Sequence, residues 1–503
     1  MASIVVFLVA LPLSMGIAIA SGIPMERASS VGILTAVIGG LVVGPLAGCP
    51  LQVSGPAAGL AVMVAALIER FGFETLGLIV LIAGLLQILA GALRVAQIFR
   101  AVAPSLIQGM LAGIGILILV SQFHVMVDDR PPGTGKEFGG LINLATIPSA
   151  VWKGFMVAEH QHATHIGLLT IVIVILWAKF SPQRLTIIPA PLVGVTVSSI
   201  VANRIDTSQN FLLVPDNLGY ALNPLSFSDV GGALSMPILL AALSLAFVAS
   251  AESLLTATAV DSMQTHTART NYNREMMAQG TGNILCGFLG LLPITGVIVR
   301  SSANVQAGAR TRVSTVLHGA WMVMFFLAFP NVVRLIPVSS LAAILVYTGF
   351  KLINVSHVRK FATLGKGELT VYFCTLATVV AVDLLTGIVA GLVVGLVRLM
   401  KTFTHLAIHQ DHRTDGMTVL RLKGAATFIR LPALAAALEG MPPGPLQVDL
   451  EGVTFMDHAC FELLVNWERQ HKAQGADLTL DWNALSIGTD HPAMKRMVEM
   501  VQV

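Results

Sequence analysis

The chain has 503 residues, of which 55% are hydrophobic and only 11% are charged, and its formal net charge is +3 at pH 7. An average soluble domain carries roughly 25% charged residues, so the composition excludes a soluble globular protein and indicates a chain that crosses a membrane repeatedly. The small net charge gives no reason to expect a nucleic-acid partner. Four cysteines without CxxC spacing support neither a disulfide framework nor a zinc site, and we predict no metal site.

Apolar segments recur along the first four-fifths of the chain. A helix that crosses a bilayer needs about 20 predominantly apolar residues, and fewer if it spans only half of it. We predict fourteen spans on this rule, the first of which is not a signal peptide because no positive residues precede it. In chain order they are residues 4–21, 28–46, 56–69, 73–94, 104–123, 163–180, 186–203, 234–258, 275–292, 301–309, 313–330, 338–353, 368–386 and 388–405.

Basic residues gather in alternate loops. They follow even-numbered spans, at Arg94, Arg100, Lys179, Arg184, Arg269, Arg274, Arg310, Arg312, Lys351, Arg359, Lys360 and Lys366. Because Lys and Arg are enriched in cytoplasmic loops, we expect a multi-pass protein of the cell inner membrane with both termini in the cytoplasm. The transport domain is predicted over residues 1–408, as an α-helical polytopic membrane protein.

Two glycine- and proline-containing segments interrupt this apolar sequence, Leu51–Gly59 and Thr295–Asn304. Each is typical of a few extended residues followed by the start of a helix. Irregular backbone at membrane depth is tolerated only where it is buried in protein or lines a cavity, and a matched pair of breaks indicates a transport site near the midplane. The breaks fall at corresponding places in two halves of seven spans, about 1–205 and 232–408, which predicts two inverted repeats.

A helix N-terminus offers unpaired N–H groups and a partial positive charge, so two of them facing one another form an anion site without any formal cation. Pro56 suits the first helical position, where its missing N–H is not needed. The predicted substrate-binding residues are Ser54, Gly55, Pro56, Ala57 and Ala58 from the first break, and Ser301, Ser302 and Ala303 from the second.

One carboxyl group lies well inside an apolar span, at Glu252. Placing a carboxyl there costs on the order of 3 kcal/mol on insertion scales, so the residue is expected to face the protein interior and to have a function. It can carry a proton, or it can hold Na⁺ together with Thr256, one helical turn further along. Glu252 and Thr256 are therefore the predicted coupling-ion or proton site, and no other cofactor is expected.

The sequence changes character after about residue 410. Residues 417–423, 446–450 and 478–482 have strand patterns, and residues 431–440, 458–473 and 491–501 have helical patterns. Alternating strands and helices predict a small cytosolic α/β domain over residues 411–503. The polar stretch His409–Gly416 is predicted to be a linker.

Several motifs together resemble the SulP family of anion transporters, the sulfate permease group with pendrin and prestin among its relatives. They are Val9–Gly16, Gln52–Gly59, Ala251–Asp261, Asn273–Asn283 and Asn304–Thr311. The resemblance implies a core formed by spans 1, 3, 8 and 10, a gate, an elevator-like movement, a substrate between the ends of spans 3 and 10, and Glu252 as the carboxylate for cation or proton dependence. It also implies a C-terminal STAS domain that helps to build a homodimer.

Two positions depart from the family pattern. Leu13 follows Pro12 where many members have a glutamine that contacts the substrate. Asp457–Cys460 stands where STAS regulators have a phosphorylated serine, so the turn offers no serine here.

Together these observations predict a secondary transporter that carries a small anion across the lipid bilayer by symport with H⁺ or Na⁺. Bicarbonate, sulfate and small dicarboxylates are the substrates considered, because helix ends recognise charge rather than a particular anion. The alternatives are an anion exchanger without cation coupling, a nucleobase permease of related fold and a membrane-anchored STAS scaffold. An enzyme is not expected, since no cluster of nucleophile, base and orienting group is present.

Overall fold

The computed structural model describes residues 1–97, 103–134, 136–182, 185, 188–205, 210–214, 222–225, 235–403, 405–412, 417–441, 445–473, 478–480 and 482. The chain divides into two compact units, one from Met1 to Leu392 and one from Val393 onward.

The first unit is helical except for two short strands. Its elements are α1 (Ala2–Ala20), α2 (Met25–Ile38), a π-helical turn (Gly39–Val43), α3 (Gly44–Leu46), β1 (Ser54–Gly55), α4 (Ala58–Phe71), α5 (Phe73–Ala92), α6 (Pro104–Met126), α7 (Gly139–Ala145), α8 (Ile147–Met156), α9 (Ala158–Phe180), α10 (Ala190–Arg204), α11 (Met236–Met263), α12 (Tyr272–Phe288), β2 (Thr295–Gly296), α13 (Ile298–Gln306), α14 (Val313–Ala328), α15 (Pro330–Val333), α16 (Val338–Leu352), α17 (Val355–Leu364), α18 (Lys366–Ala381) and α19 (Leu384–Phe403).

The predicted fold class is confirmed. Each of the fourteen predicted spans coincides with a helical segment, and the predicted ends differ from the helix ends by at most five residues; positions 186, 187, 234 and 404 lie outside the described residues. Within the described part of the chain, eight helical segments are long and apolar enough to cross a membrane. The helices after the breaks, α4 with 14 residues and α13 with 9, are shorter than a full span.

Prolines mark several helix starts. Pro104 is the first residue of α6, and Pro191 and Pro237 lie in the first turns of α10 and α11. Proline is favourable there because the N–H that it lacks has no partner within the helix, and its fixed φ is already helical.

Spans α5 and α12 pack through glycines seven residues apart. Gly77, Gly84 and Gly91 line α5, and Gly280 and Gly287 line α12. A Cβ on Gly84 would lie 2.6 Å from the Ile284 nitrogen, and a Cβ on Gly280 would lie 2.6 Å from the Gly84 carbonyl oxygen. Since lipid gives little hydrophobic drive for helix association, close backbone approach through small residues supplies the packing energy.

The second unit contains a four-stranded sheet of β3 (Leu406–His412), β4 (Thr418–Ala426), β5 (Leu446–Met456) and β6 (Leu478–Leu480), in that spatial order. The first pair is antiparallel, and the other two pairs are parallel. Helices α20 (Leu431–Glu439) and α21 (His458–Ala473) connect the parallel strands. The described core of this unit includes Leu422, Leu434, Val448 and Leu464.

The linker prediction for residues 409–416 is wrong over its first four residues. Residues 409–412 belong to β3, in which His409 pairs with Arg421 and His412 with Thr418. Only Leu406 of this strand is fully buried, and its last four residues are exposed. An edge strand whose residues are mostly exposed has the same polar composition as a linker. Residues 409–412 form a strand because their backbone pairs with β4. The predicted helix 491–501 lies outside the described residues.

Asp457 caps α21 in the turn that carries no serine. Its carboxylate accepts hydrogen bonds from the backbone N–H of Cys460, at 2.9 Å, and from that of Phe428. Burial, together with the nearby Asp457 carboxylate, raises the pKa of the Cys460 thiol to about 12.

Cys460 should therefore be unreactive while the second unit is folded. At pH 8 we expect no alkylation by iodoacetamide in native protein and full alkylation in denaturant, because the thiolate is the reactive form. Peptide mass spectrometry measures this directly. Glu462→Cys, an exposed position on the same helix, is the matched control and should react in the native state; rapid native modification of Cys460 would contradict the assignment.

Candidate functional site

The two sequence breaks pair with each other. Strands β1 and β2 are antiparallel, with Ser54 opposite Gly296 and Gly55 opposite Thr295. The Val297 N–H donates to the Val53 carbonyl at 2.9 Å. We call this pairing the joint. Because its strands are antiparallel, α4 and α13 leave it in opposite directions, as inverted repeats require.

Both helices begin directly beyond the joint. Ala57 precedes α4 and Val297 precedes α13, and neither helix start has a side-chain cap. Their first N–H groups therefore lack capping side chains, which leaves a partial positive charge at each end. This is the arrangement that an anion site of two helix ends needs.

Ser301 holds the joint closed. Its hydroxyl accepts a hydrogen bond from the Val53 N–H at 2.9 Å and donates one to the Val297 carbonyl at 2.7 Å. The side chain of Asn304 adds a bond to the Leu51 carbonyl at 2.9 Å. Ser301 is fully buried, so its hydroxyl stabilises the backbone from which the helix ends project.

The other predicted substrate residues surround the same joint. Ser54 is buried, and its hydroxyl accepts a bond from Gln279 at 2.7 Å. Ser302 donates to the Val299 carbonyl at 3.1 Å and is partly exposed. Of the remaining five predicted residues, Gly55, Pro56 and Ala57 are buried, and Ala58 and Ala303 are partly exposed. Their assignment as substrate ligands stays a prediction.

A formal cation that the sequence reasoning omitted lies at the first break. Arg300 is fully buried, and its Nη2 donates to the Pro56 carbonyl at 3.2 Å and to Ser14 of α1 at 3.0 Å. A Cβ on Gly55 would overlap Arg300 Nη1, which explains the glycine there. Nη1 and Nε are buried without hydrogen-bond partners. The sequence does contain a signal for this cation, because Arg300 lies within the second break, Thr295–Asn304.

Glu252 lies against the start of α4. A Cβ on Gly59 would lie 2.8 Å from both carboxylate oxygens of Glu252, so only glycine leaves room for the carboxyl. Oε2 of Glu252 is buried without a hydrogen-bond partner. Thr256 donates to the Gly296 carbonyl at 3.0 Å, which places this pair beside both breaks. Its role as a coupling site stays a prediction.

A polar stripe on α12 supports the joint and was not assigned a role from the sequence. Glu275, Gln279 and Asn283 recur every four residues and are almost completely buried. Glu275 accepts hydrogen bonds from the Cys49 N–H, from Gln52 and from Gln279, each at 2.8 Å. Four-residue spacing of polar residues on an apolar helix is the signal that could have found it.

An apolar crevice separates α11 from two other spans. It has about 20 Å³ of free volume. Its lining consists of Leu106, Ile107 and Met110 from α6, Phe247, Ala251 and Leu255 from α11, and Ile388 and Leu392 from α19. Glu252 follows Ala251 in the chain, so the crevice lies beside the part of α11 that carries the buried carboxyl.

Comparison with known families assigns both parts of the chain, the membrane helices and the C-terminal α/β unit. The sequence pattern of the sulfate permease family matches residues 1–375, and that of the STAS domain matches residues 409–503. The chain belongs to the sulfate permease family. The resemblance seen in the sequence is thus confirmed, and this family member is a multi-pass membrane protein.

Two curated relatives of this sulfate permease family member are transporters by name. The putative sulfate transporter YvdB of Bacillus subtilis is 26% identical over 95% of this chain and 90% of its own length. The bicarbonate transporter BicA of Picosynechococcus is 26% identical over 79% of this chain and 69% of its own length. The relatives are transporters rather than enzymes, as expected from the sequence.

A solved structure shares the fold of the whole chain. The murine Solute Carrier 26 family member A9 anion transporter, in an inward-facing state, has a TM-score of 0.74 and 14% identity, and the match covers 100% of this chain and 90% of that one.

Removing the Glu275 carboxyl should destabilise the joint. In Glu275→Leu, three buried donors lose their acceptor, and each unpaired group costs about 1–3 kcal/mol. We expect a clearly lower melting temperature in detergent, measured by size-exclusion chromatography after heating, and a smaller loss for Glu275→Gln. Glu74→Gln, at an exposed residue, should melt like the unaltered protein. Equal melting of Glu275→Leu and Glu74→Gln would contradict the supporting role.

Proposed function

We propose that this protein is a secondary transporter of a small oxyanion, bicarbonate or sulfate, and that the anion binds where the ends of α4 and α13 meet. The observation that carries the proposal is the buried Arg300, whose Nη1 and Nε have no hydrogen-bond partner. Small dicarboxylates remain in the substrate class. Relatives named as sulfate and bicarbonate transporters support it.

Charge explains why an anion is favoured. Within the described residues, Arg300 forms no ion pair, and an unpaired charge buried in a membrane protein is strongly unfavourable. Each helix end adds roughly 0.3 to 2 kcal/mol in favour of an anion. An oxyanion offers acceptors to the guanidinium and to the helix N–H groups, and it neutralises the buried charge.

Glu252 supplies the coupling site in this proposal. Its free Oε2 can take a proton, or it can bind Na⁺ together with Thr256, whose hydroxyl donates to Gly296 and keeps lone pairs for a cation. Because Thr256 bonds directly to the second break, a cation there acts on the backbone that forms the anion site. These shared contacts support symport, and anion exchange without a cation would leave the Glu252 carboxyl without a role.

An elevator-like movement fits the apolar crevice. The crevice between α11 and the pair α6 and α19 is lined only by hydrocarbon side chains and a thioether. Such a surface has no directional hydrogen bonds to break when the core, which includes α1, α4, α11 and α13, slides along a gate that includes α6 and α19.

The remaining assignments complete the proposal. The protein acts as a homodimer in the inner membrane, with its termini and STAS domain in the cytoplasm, as the arginine-rich loops indicate. Family membership argues against a nucleobase permease. The buried Arg300 and Glu252 argue against an inert membrane anchor for the STAS domain. Burying an ionisable side chain in the membrane is costly, and a simple anchor does not require one.

Neutralising Arg300 should greatly reduce the rate of anion uptake. Arg300→Gln is expected to lower the initial rate of labelled sulfate or bicarbonate uptake into proteoliposomes by at least about tenfold, since a hydrogen bond to a charged group contributes about 1.5–3 kcal/mol. Arg300→Lys keeps the charge and should retain part of the activity. Arg310→Gln, at an exposed arginine, is the control. Unchanged uptake by a folded Arg300→Gln would overturn the proposed anion site.

Glu252→Gln should separate anion movement from its driving gradient. The amide keeps the shape beside Gly59 but neither titrates nor carries a charge. We expect accumulation driven by a Na⁺ or pH gradient to be lost, while anion exchange without a gradient continues. Applying the two gradients separately identifies the coupling ion. Gradient-driven accumulation at the unaltered rate would instead favour the exchanger.

A further inference from the structure

A cavity of about 630 Å³ opens in the first unit at the ends of three membrane helices. This is within the size range of small-molecule sites, roughly 300–1,000 Å³. Its lining residues are Leu46, Gly91, Ala92, Arg94, Gln97, Asn271, Asn273, Arg274, Met277, Ala278 and Thr281. They come from the ends of α3 and α5 and from the start of α12, on the arginine-rich face of the membrane.

The cavity is lined by two cationic side chains. Arg94 and Arg274 supply them, and neither forms an ion pair with a described acid. A ligand that pairs with these arginines carries a negative charge.

The surroundings of the cavity are apolar. Leu46 and Met277 line it and are about two-fifths exposed, and Leu89 and Leu93 on α5 are more than half exposed. A soluble anion makes no favourable contact with these apolar side chains, whereas the acyl chains of a lipid cover them. The position at the helix ends is also the depth at which lipid headgroups lie.

We propose that this cavity binds the headgroup of an anionic phospholipid such as phosphatidylglycerol. Its phosphate contacts Arg94 and Arg274, and the acyl chains cover Leu89 and Leu93. The assignment rests on the membrane orientation given with the proposed function, in which the arginine-rich face meets the anionic cytoplasmic leaflet.

The site is connected to the joint through the backbone. Arg274 Nε donates to the Leu46 carbonyl at 2.9 Å, and the Asn271 N–H donates to the Gly48 carbonyl at 3.3 Å. One residue further along α12, Glu275 holds the Cys49 N–H. A lipid that orders Arg274 therefore stabilises the segment that leads into the first break.

Native mass spectrometry with added phosphatidylglycerol tests the proposal in the full-length protein. Two variants remove different features: Arg94→Asn removes a charge at a left-handed residue, φ 60°, which asparagine tolerates, and Ala92→Phe fills the space and keeps both arginines. Arg310→Asn removes an exposed arginine outside the cavity. Melting temperatures verify that each variant is folded.

We expect bound phosphatidylglycerol to fall by about fivefold in Arg94→Asn, the amount that one juxtamembrane charge contributes, and at least as far in Ala92→Phe. Arg310→Asn should bind like the unaltered protein. Phosphatidylethanolamine, which carries no net charge, should not compete.

Three results would overturn the proposal: equal binding by folded Arg94→Asn and Ala92→Phe, an equal loss in Arg310→Asn, or complete competition by inorganic phosphate, which would assign the cavity to a soluble anion. Lipid binding is measured without transport, so failure of the Arg300 experiment leaves this result interpretable.

Discussion

The structure depends on the pairing of two broken backbones inside the membrane. Where α4 and α13 begin, the preceding residues have no helical partner for their N–H and C=O groups, and lipid supplies none. The joint meets this requirement by pairing Ser54 and Gly55 with Thr295 and Gly296. Once the backbone is paired in this way, two helix starts have to lie next to each other, which is the geometry that the proposed anion site requires.

Each repeat completes the break of the other. The second repeat sends Ser301 to the Val53 N–H and Arg300 to the Pro56 carbonyl, while Gln52 from the first repeat lies against Gly296. The charges follow the same pattern, because Glu252 of the second repeat occupies the space that Gly59 of the first leaves open. A change of state at one break therefore acts on the other through direct contacts.

The sequence predicted what depends on local pattern. Span positions follow from apolar length, and both breaks were found because glycine and proline interrupt that length. It could not show that the breaks pair with each other, since β1 and β2 are two residues each and lie about 240 positions apart. Arg300 is not among the predicted ligands, because two helix ends can bind an anion without a formal cation. The strand Leu406–His412 is not predicted, and its last four residues fall in the predicted linker, because its exposed half has no alternating pattern.

The exchange of contacts across the joint has a consequence for biosynthesis. Ribosomes deliver Val53 and Pro56 to the bilayer well before Ser301 and Arg300 have been translated. During that interval the backbone N–H and C=O groups of the first break lie in the membrane without their partners from the second repeat. Membrane insertion of the first half therefore has to tolerate unpaired polar groups until the second half is inserted. Separately expressed halves of the chain would meet the same difficulty, and neither could mature without the other.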